Sequence, residues 1–415
     1  MLYFRWLETC RLHASRPAVY DGAEVVTFGE LAKRVEARPH SGSRVIARSG
    51  GVGFFVDLIS GWRDGSMVIP IEKDAPEPKL NSDPPAETCL VKYTPGASGI
   101  PRGIFFNDAQ LIADGDRLVR EMGLSVEVPN LAVISLAHSY GFSNIVLPLI
   151  LHGVPVVLAP VPFPRVVEEI CANHAALAVP SVPSIWRAWH RAKILKSLPI
   201  RLAVSAGAPL SLDLEAQVYE TSGIKIRNFY GTSECGAISF DRSELPRVDA
   251  SDVGRVMAGV SVSIGRDGRL QVQSDAVAIG YDESRRDDLL GAGCYLTRDV
   301  GFVDEREILQ LVGTVGGAIN VAGRKVSPAK VEAALMATGL VRRARVFGIP
   351  SADRERNEEI SALVEMNDGE RLERLKSSLS ERLETWELPR HWRAGAELWA
   401  LGLAELRDAF RFPSA

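Results

Sequence analysis

The sequence predicts an α/β protein dominated by parallel sheets. Short, unbroken apolar runs alternate with helical stretches across residues 131–204, the pattern of strands buried on both faces. Residues 44–47, a helical run over 54–64 and a strand over 67–71 repeat the same strand–helix–strand rhythm. At 415 residues the chain exceeds what one core fills, so two or three domains are expected.

Taken in order, residues 2–13 are spaced as a helix. Residues 18–20 and 24–28 form a hairpin pattern around Asp21-Gly22, a dipeptide suited to a tight turn. Residues 74–87 are rich in Pro, Asp and Asn and read as a connector. Cys89-Leu90-Val91 reads as a strand. The most apolar stretch, 144–164, is broken by His152, Gly153 and several prolines, which suits a buried helix followed by a buried strand and not a membrane span. Further strands are expected at 131–136, 156–158, 176–179 and 201–204, with a hairpin over 262–273 around Arg266-Asp267-Gly268. Segments 341–350 and 359–365 and a helix over 371–385 complete a small α+β arrangement.

Composition narrows the function classes. A net charge of -4 gives no support to nucleic acid or an acidic membrane as a partner. Five cysteines (Cys10, Cys89, Cys171, Cys235, Cys294) are scattered and lack paired metal-ligand spacing, which argues against structural zinc and suits a reducing cytoplasm. The start has no long apolar core of a cleaved signal.

The stretch from Tyr93 to Gly103 carries the densest chemistry. It holds Gly96, Gly99 and Gly103, the hydroxyls of Thr94 and Ser98, and Arg102, directly after an apolar strand. Glycines let several backbone N–H groups approach one phosphate, and the hydroxyls and the arginine add donors and charge. The same residues also fit an ordinary surface turn. A P-loop is excluded, because Pro101 stands where the second glycine of its Gly-Lys pair belongs. Further on, Tyr230-Gly231-Thr232-Ser233-Glu234 places a stacking ring, a hydroxyl and a carboxylate in five residues. Those groups suit a base, a phosphate oxygen and Mg²⁺, whose hard charge prefers oxygen.

Together these segments resemble the AMP-forming adenylating enzymes: acyl-CoA synthetases, nonribosomal adenylation domains and luciferases. Their phosphate loop is roughly Thr-Ser-Gly-Ser/Thr-Thr-Gly-x-Pro-Lys-Gly, and their later motif is Tyr-Gly-x-Thr-Glu. The resemblance runs in order along nearly the whole chain. It implies a large N-terminal AMP- and acyl-binding domain, residues 1–315, and a small mobile C-terminal lid of α+β type, residues 316–415. Thr94, Gly96, Ala97, Ser98, Gly99 and Arg102 would hold phosphate, with Tyr230 and Gly231 at the nucleotide. Gly207, Ala208 and Pro209 would lie against the adenine, and Asp299 would accept from the ribose hydroxyls. Ser233 and Glu234 would be catalytic, Glu234 as the Mg²⁺ ligand. Ser205, His138 and Tyr140 would border the acyl group, and Gly323 would line the channel for a pantetheine arm.

Departures from the family pattern fall on nucleotide-facing positions. Pro95 replaces a serine, Ala97 a hydroxyl residue, Arg102 a lysine and Arg298 a glycine. Thr314 stands at the family arginine that contacts the ribose, and Glu405 at the lysine that bridges carboxylate and α-phosphate. Loss of a cation at a phosphoryl transition state costs about 10³ to 10⁵ in rate, so adenylation is expected to be impaired. Arg407 and Arg102 are the candidate replacements. The segment between the connector and the phosphate loop is also shorter than in the family.

The expected function is therefore an AMP-forming acyl-CoA synthetase or carrier-protein ligase. It would use ATP and Mg²⁺ to activate a carboxylic acid and pass it to CoA or a phosphopantetheine carrier protein. The alternatives are a degenerate acyl- or nucleotide-binding or partner protein, and thiol transfer only, from a preformed acyl-adenylate.

Overall fold

The computed structural model describes the chain except for residues 95–100, 266–267, 284–288, 315–318, 323, 352–357, 368–370, 381, 395–396, 401–405, 408 and 411–415. It divides into two units: residues 1–262, 272–296 and 303–310, and residues 263–271, 297–302 and 311–415.

Two sheets organise the first unit. The smaller runs in the order Gly280–Tyr281, Arg102–Phe106, Leu90–Thr94, Met67–Ile71, Arg44–Arg48. The last three are parallel and the first two antiparallel to their neighbours. Met67–Ile71 and Leu90–Thr94 are direct partners, Val68 opposite Leu90, so the connector joins adjacent parallel strands with no helix or strand of its own. The abbreviation visible in the sequence is thus absorbed without opening the sheet. Leu58, Ile59, Phe54 and Phe55 of the helix Gly51–Arg63 are buried in a core shared with Trp6, Phe28 and Phe142. Burying such side chains contributes roughly 1.5–3 kcal/mol each.

In the larger sheet, strands Ile226–Thr232, Ile200–Ser205, Leu177–Ser181, Asn130–Ala132, Val156–Leu158 and Pro17–Asp21 lie side by side and parallel. Gly236–Phe240 and Asp252–Val256 extend one edge antiparallel, and Glu24–Thr27 closes the other. Leu177–Ser181 is buried at every position, as its unbroken apolar run requires.

The second unit contains the hairpin Ile319–Val321 and Arg324–Val326, the helix Pro328–Met336 and the sheet of Val341–Pro350, Glu358–Met366 and His391–Arg393. Its core is built on Val331, Leu335, Val346, Ile360, Val364 and Leu375.

Several boundaries differ from the sequence reading. The hairpin stops at Thr27, because Thr27 and Glu30 form a reciprocal cap that starts a helix at Phe28. The strand expected over 131–136 ends at Ala132, and the chain turns through Ser135, whose Oγ accepts from the N–H of Ala137 and His138. The helix expected over 371–385 is Leu372–Ser380, and Glu384 in extended conformation caps the separate turn Thr385–Glu387. Cys294–Val303, where Arg298 and Asp299 interrupt the apolar pattern, and Ile308–Thr314 are strands beyond those the sequence pattern predicts. No helix among the described residues is long and apolar enough to cross a membrane.

Candidate active site

The phosphate-loop residues Gly96, Ala97, Ser98 and Gly99 lie outside the described residues, but both flanks are defined. Thr94 ends one strand and Arg102 begins the next, directly opposed across the antiparallel pair. Arg102 is buried. Its guanidinium lies 3.7 Å from the centre of the Tyr281 ring, and Nη2 donates to the Glu283 carbonyl at 2.7 Å. Beside it the Gly103 N–H donates to Asp282 Oδ1 at 3.0 Å, and Asn81 donates to Oδ2 at 3.3 Å. Burial raises the Asp282 carboxyl above its ordinary range, against those hydrogen bonds.

Tyr230, Gly231 and Thr232 end the strand Ile226–Thr232, and Ser233 and Glu234 form the turn that follows. Gly236 completes that turn at φ +67°, where a Cβ would overlap the Asp114 carboxylate, itself fixed by the Ala237 N–H at 3.0 Å. The Glu234 carbonyl accepts from Ala278 N–H at 2.8 Å. Its carboxylate Oε1 accepts from the Tyr281 hydroxyl at 2.9 Å. Near it the buried Tyr295 phenol is held protonated by burial and by the Glu234 charge. Tyr281, Asp282 and Tyr295 are the groups the motif reading left without a role. Nothing in the local sequence indicates what the Tyr281 ring and hydroxyl touch.

Ser205 is fully buried at the carboxyl end of Ile200–Ser205 and opposes Ser181 and Asn228 on the neighbouring strands. Gly207 follows at φ +78°, with Ala208 and Pro209 leading to Ser211, the N-cap of the helix Leu212–Ser222. That loop is pinned from beneath. Buried Arg247 donates from Nη2 to the Leu210 carbonyl at 2.8 Å and from Nε to Glu215 Oε2 at 2.9 Å. Lys225 pairs with Glu215 and, at 2.6 Å, with Asp241.

His138 and Tyr140 diverge from one turn. His138 is largely exposed, with Nε2 3.5 Å from Glu72 Oε1. Tyr140 stacks on Phe229 at 5.8 Å between ring centres and donates to the Val204 carbonyl at 3.4 Å.

In the second unit, Thr314 donates its hydroxyl to Asp299 Oδ1 at 2.9 Å, and the Asp299 N–H donates to Thr297 Oγ1 at 3.0 Å. Arg407 Nη1 donates to the Val312 carbonyl. Gly323 and Glu405 lie outside the described residues. Among the described residues no three His, Cys, Asp or Glu groups cluster as a metal site. A single oriented carboxylate that shares the ion with substrate phosphates is nevertheless the donor set Mg²⁺ commonly takes, and Glu234 fits it. The five cysteines are unpaired, and burial pushes the Cys235 thiol up to about 12.

The Ser233 hydroxyl and the Glu234 carboxylate thus follow the end of the strand Ile226–Thr232, and in α/β folds strand ends are where ligands bind. The model of the family described as AMP-binding enzyme matches residues 56–281, more than half of the chain, and the protein belongs to that family. A 4-coumarate–CoA ligase-like protein of rice is 24% identical over 353 residues, covering 78% of this chain and 62% of the relative. Sulfoacetate–CoA ligase of Cupriavidus necator is 25% identical over 352 residues, covering 80% of this chain and 67% of the relative. The chain thus spans about three fifths to two thirds of the length of these relatives. The crystal structure of apo MatB from Rhodopseudomonas palustris shares the fold with a TM-score of 0.68 at 18% identity, over 95% of this chain and 94% of that one.

Proposed function

We propose that this protein is an AMP-forming acid–thiol ligase of the acyl-CoA synthetase type whose adenylation step is slowed. The observation that carries the reading is Glu234, held through Oε1 by Tyr281 within the stretch that matches the family. A carboxylate oxygen of the acid attacks the α-phosphorus of ATP, the bond to the bridging oxygen of pyrophosphate breaks, and an acyl-adenylate forms. The thiol of CoA or of a phosphopantetheine carrier then attacks the acyl carbon, and AMP leaves with the electron pair of the broken C–O bond.

In this reading Thr94, the loop glycines Gly96 and Gly99 with Ala97 and Ser98, and Ser233 donate to phosphate oxygens. Tyr230 and the Gly207–Pro209 turn hold the adenine, and Asp299 takes the ribose. Glu234 would hold Mg²⁺, whose charge neutralises the phosphates. His138, Tyr140 and Ser205 border the acid. Residues 1–315 form the nucleotide- and acid-binding domain and 316–415 the lid, with Gly323 at the thiol channel. Glu405 at the place of the family lysine reverses a charge where about 10³ to 10⁵ in rate is at stake.

Glu405 also favours a second reading, because the family lysine serves the adenylation half-reaction and is not the key group in thiol transfer. In it the protein carries out only thiol transfer from a ready-made acyl-adenylate, or binds its ligand as a partner subunit.

Acid-dependent exchange of pyrophosphate into ATP, run beside Glu405→Lys, separates the readings. The relatives are named for acids as different as coumarate and sulfoacetate, so the panel must span aryl, sulfonated and aliphatic acids. Exchange in the unmodified protein supports the ligase. Exchange only in the variant supports thiol transfer, and silence in both supports the binding role.

A further inference from the structure

We propose that Tyr281 is a positioning residue through which Arg102, at the exit of the phosphate loop, sets the Glu234 carboxylate for a cation–nucleotide complex. The inference rests on the nucleotide-binding reading above. Two distant segments meet on this one side chain. The ring takes the Arg102 guanidinium at 3.7 Å, and the hydroxyl donates to Glu234 Oε1 at 2.9 Å. The buried Tyr295 lies near this pair, its phenol held protonated by burial and by the Glu234 charge. Backbone pairing places the ring: Tyr281 opposes Ile104 in the antiparallel pair with Arg102–Phe106, and the Asp282 N–H donates to the Gly103 carbonyl at 2.9 Å. Any shift of the strand that leaves the phosphate loop is therefore carried to the ring.

The chemistry is directional. A hydroxyl that donates to Oε1 fixes the carboxylate plane and leaves its charge in place, as an ion held jointly with phosphates requires. A guanidinium stacked on the ring draws electron density toward that face and makes the phenol a stronger donor. Arg102 thus acts on the carboxylate through Tyr281, and its geometry differs from that of a flexible lysine reaching for phosphate.

The test is binding of ATP to the full chain by calorimetry, with Mg²⁺ and with EDTA. Tyr281→Phe keeps the ring under Arg102 and removes only the donor. Because hydrogen bonds to charged groups are the stronger ones, Mg²⁺-dependent affinity should fall about 10-fold or more, with affinity in EDTA and the melting temperature nearly unchanged. The half-saturating Mg²⁺ concentration should rise in parallel. In a Glu234→Gln background the same change should have no further effect. Tyr281→Leu, which also removes the stacking, should lose more than Tyr281→Phe.

Equal affinity of Tyr281→Phe and the unmodified protein in Mg²⁺ overturns the proposal. So does an equal loss in Mg²⁺ and EDTA, which marks a merely structural role. Failure of the unmodified protein to bind ATP in either condition overturns the nucleotide-binding reading itself, and the proposal with it.

Discussion

Thr314 donates its hydroxyl to Asp299 Oδ1 at 2.9 Å, so the carboxylate expected to receive a ribose is already oriented by a side chain at the family's arginine position. If Asp299 does receive the ribose, Thr314→Val should release that orientation. The loss of one hydrogen bond to a charged acceptor corresponds to roughly 1.5–3 kcal/mol, about 10-fold or more in affinity for ATP. A 2′,3′-dideoxy analogue, lacking the hydroxyls concerned, should bind both proteins equally. Comparison of the two nucleotides by calorimetry checks this, and an equal loss for both would remove Asp299 from ribose recognition.

Lys92 is fully buried two residues before Thr94. Its ammonium lies 4.8 and 5.1 Å from the ring centres of Phe106 and Phe142 and 3.4 Å from Ser143 Oγ. Burial lowers its pKa to about 8, with Asp114 pulling the other way. The folded state therefore binds this proton less tightly than the unfolded chain, and stability should rise as pH climbs from about 8 to 10.5. The rise from this residue amounts to about 3 kcal/mol. Lys92→Met should melt higher at pH 7 and lose that part of the pH dependence. Denaturant unfolding at pH 7, 8.5 and 10 measures it, and an unchanged slope in the variant would refute the assignment.

The buried network of Glu215, Lys225, Arg247 and Asp241 supports the loop from Ser205 to Leu210. Burial pushes the Asp241 carboxyl up, but hydrogen bonds from Lys225 and Ser243 outweigh it and hold the group below its ordinary value. Its contribution to stability is present above the unfolded pKa and is lost as pH falls through the lower folded one. Arg247→Met leaves Glu215 with one cation fewer and should cost about 3–5 kcal/mol. The cost should appear in chemical denaturation, together with faster hydrogen exchange at residues 206–210.

Gly313 has no room for a side chain, since a Cβ there would overlap the Arg407 guanidinium that donates to the Val312 carbonyl. Gly313→Ala should destabilise the protein by roughly 1–3 kcal/mol, in the range of overpacking. In an Arg407→Ser background the same change should cost much less, which a double-mutant cycle of melting curves resolves. Additive effects would mean that the two residues do not meet.

Local pattern is enough to place the elements that bury a face of their own. The apolar run Val156–Leu158, the strand Val341–Pro350 and the helix Leu2–His13 stand where periodicity puts them, because each buries its own face whatever lies across from it. The order of motifs from Tyr93 to Asp299 identified the family, since glycines and hydroxyls at strand ends are needed in place. Boundaries were less legible: Phe28 reads as strand until Thr27 and Glu30 cap each other. Which side chains meet follows from the folded arrangement alone. Tyr281 reaches Glu234 across 47 positions, and Arg102 reaches Glu283 across 181. The burial of Lys92 likewise depends on Phe142, supplied by a distant turn. Such contacts are set by strand pairing and packing among distant segments, and no local spacing carries them.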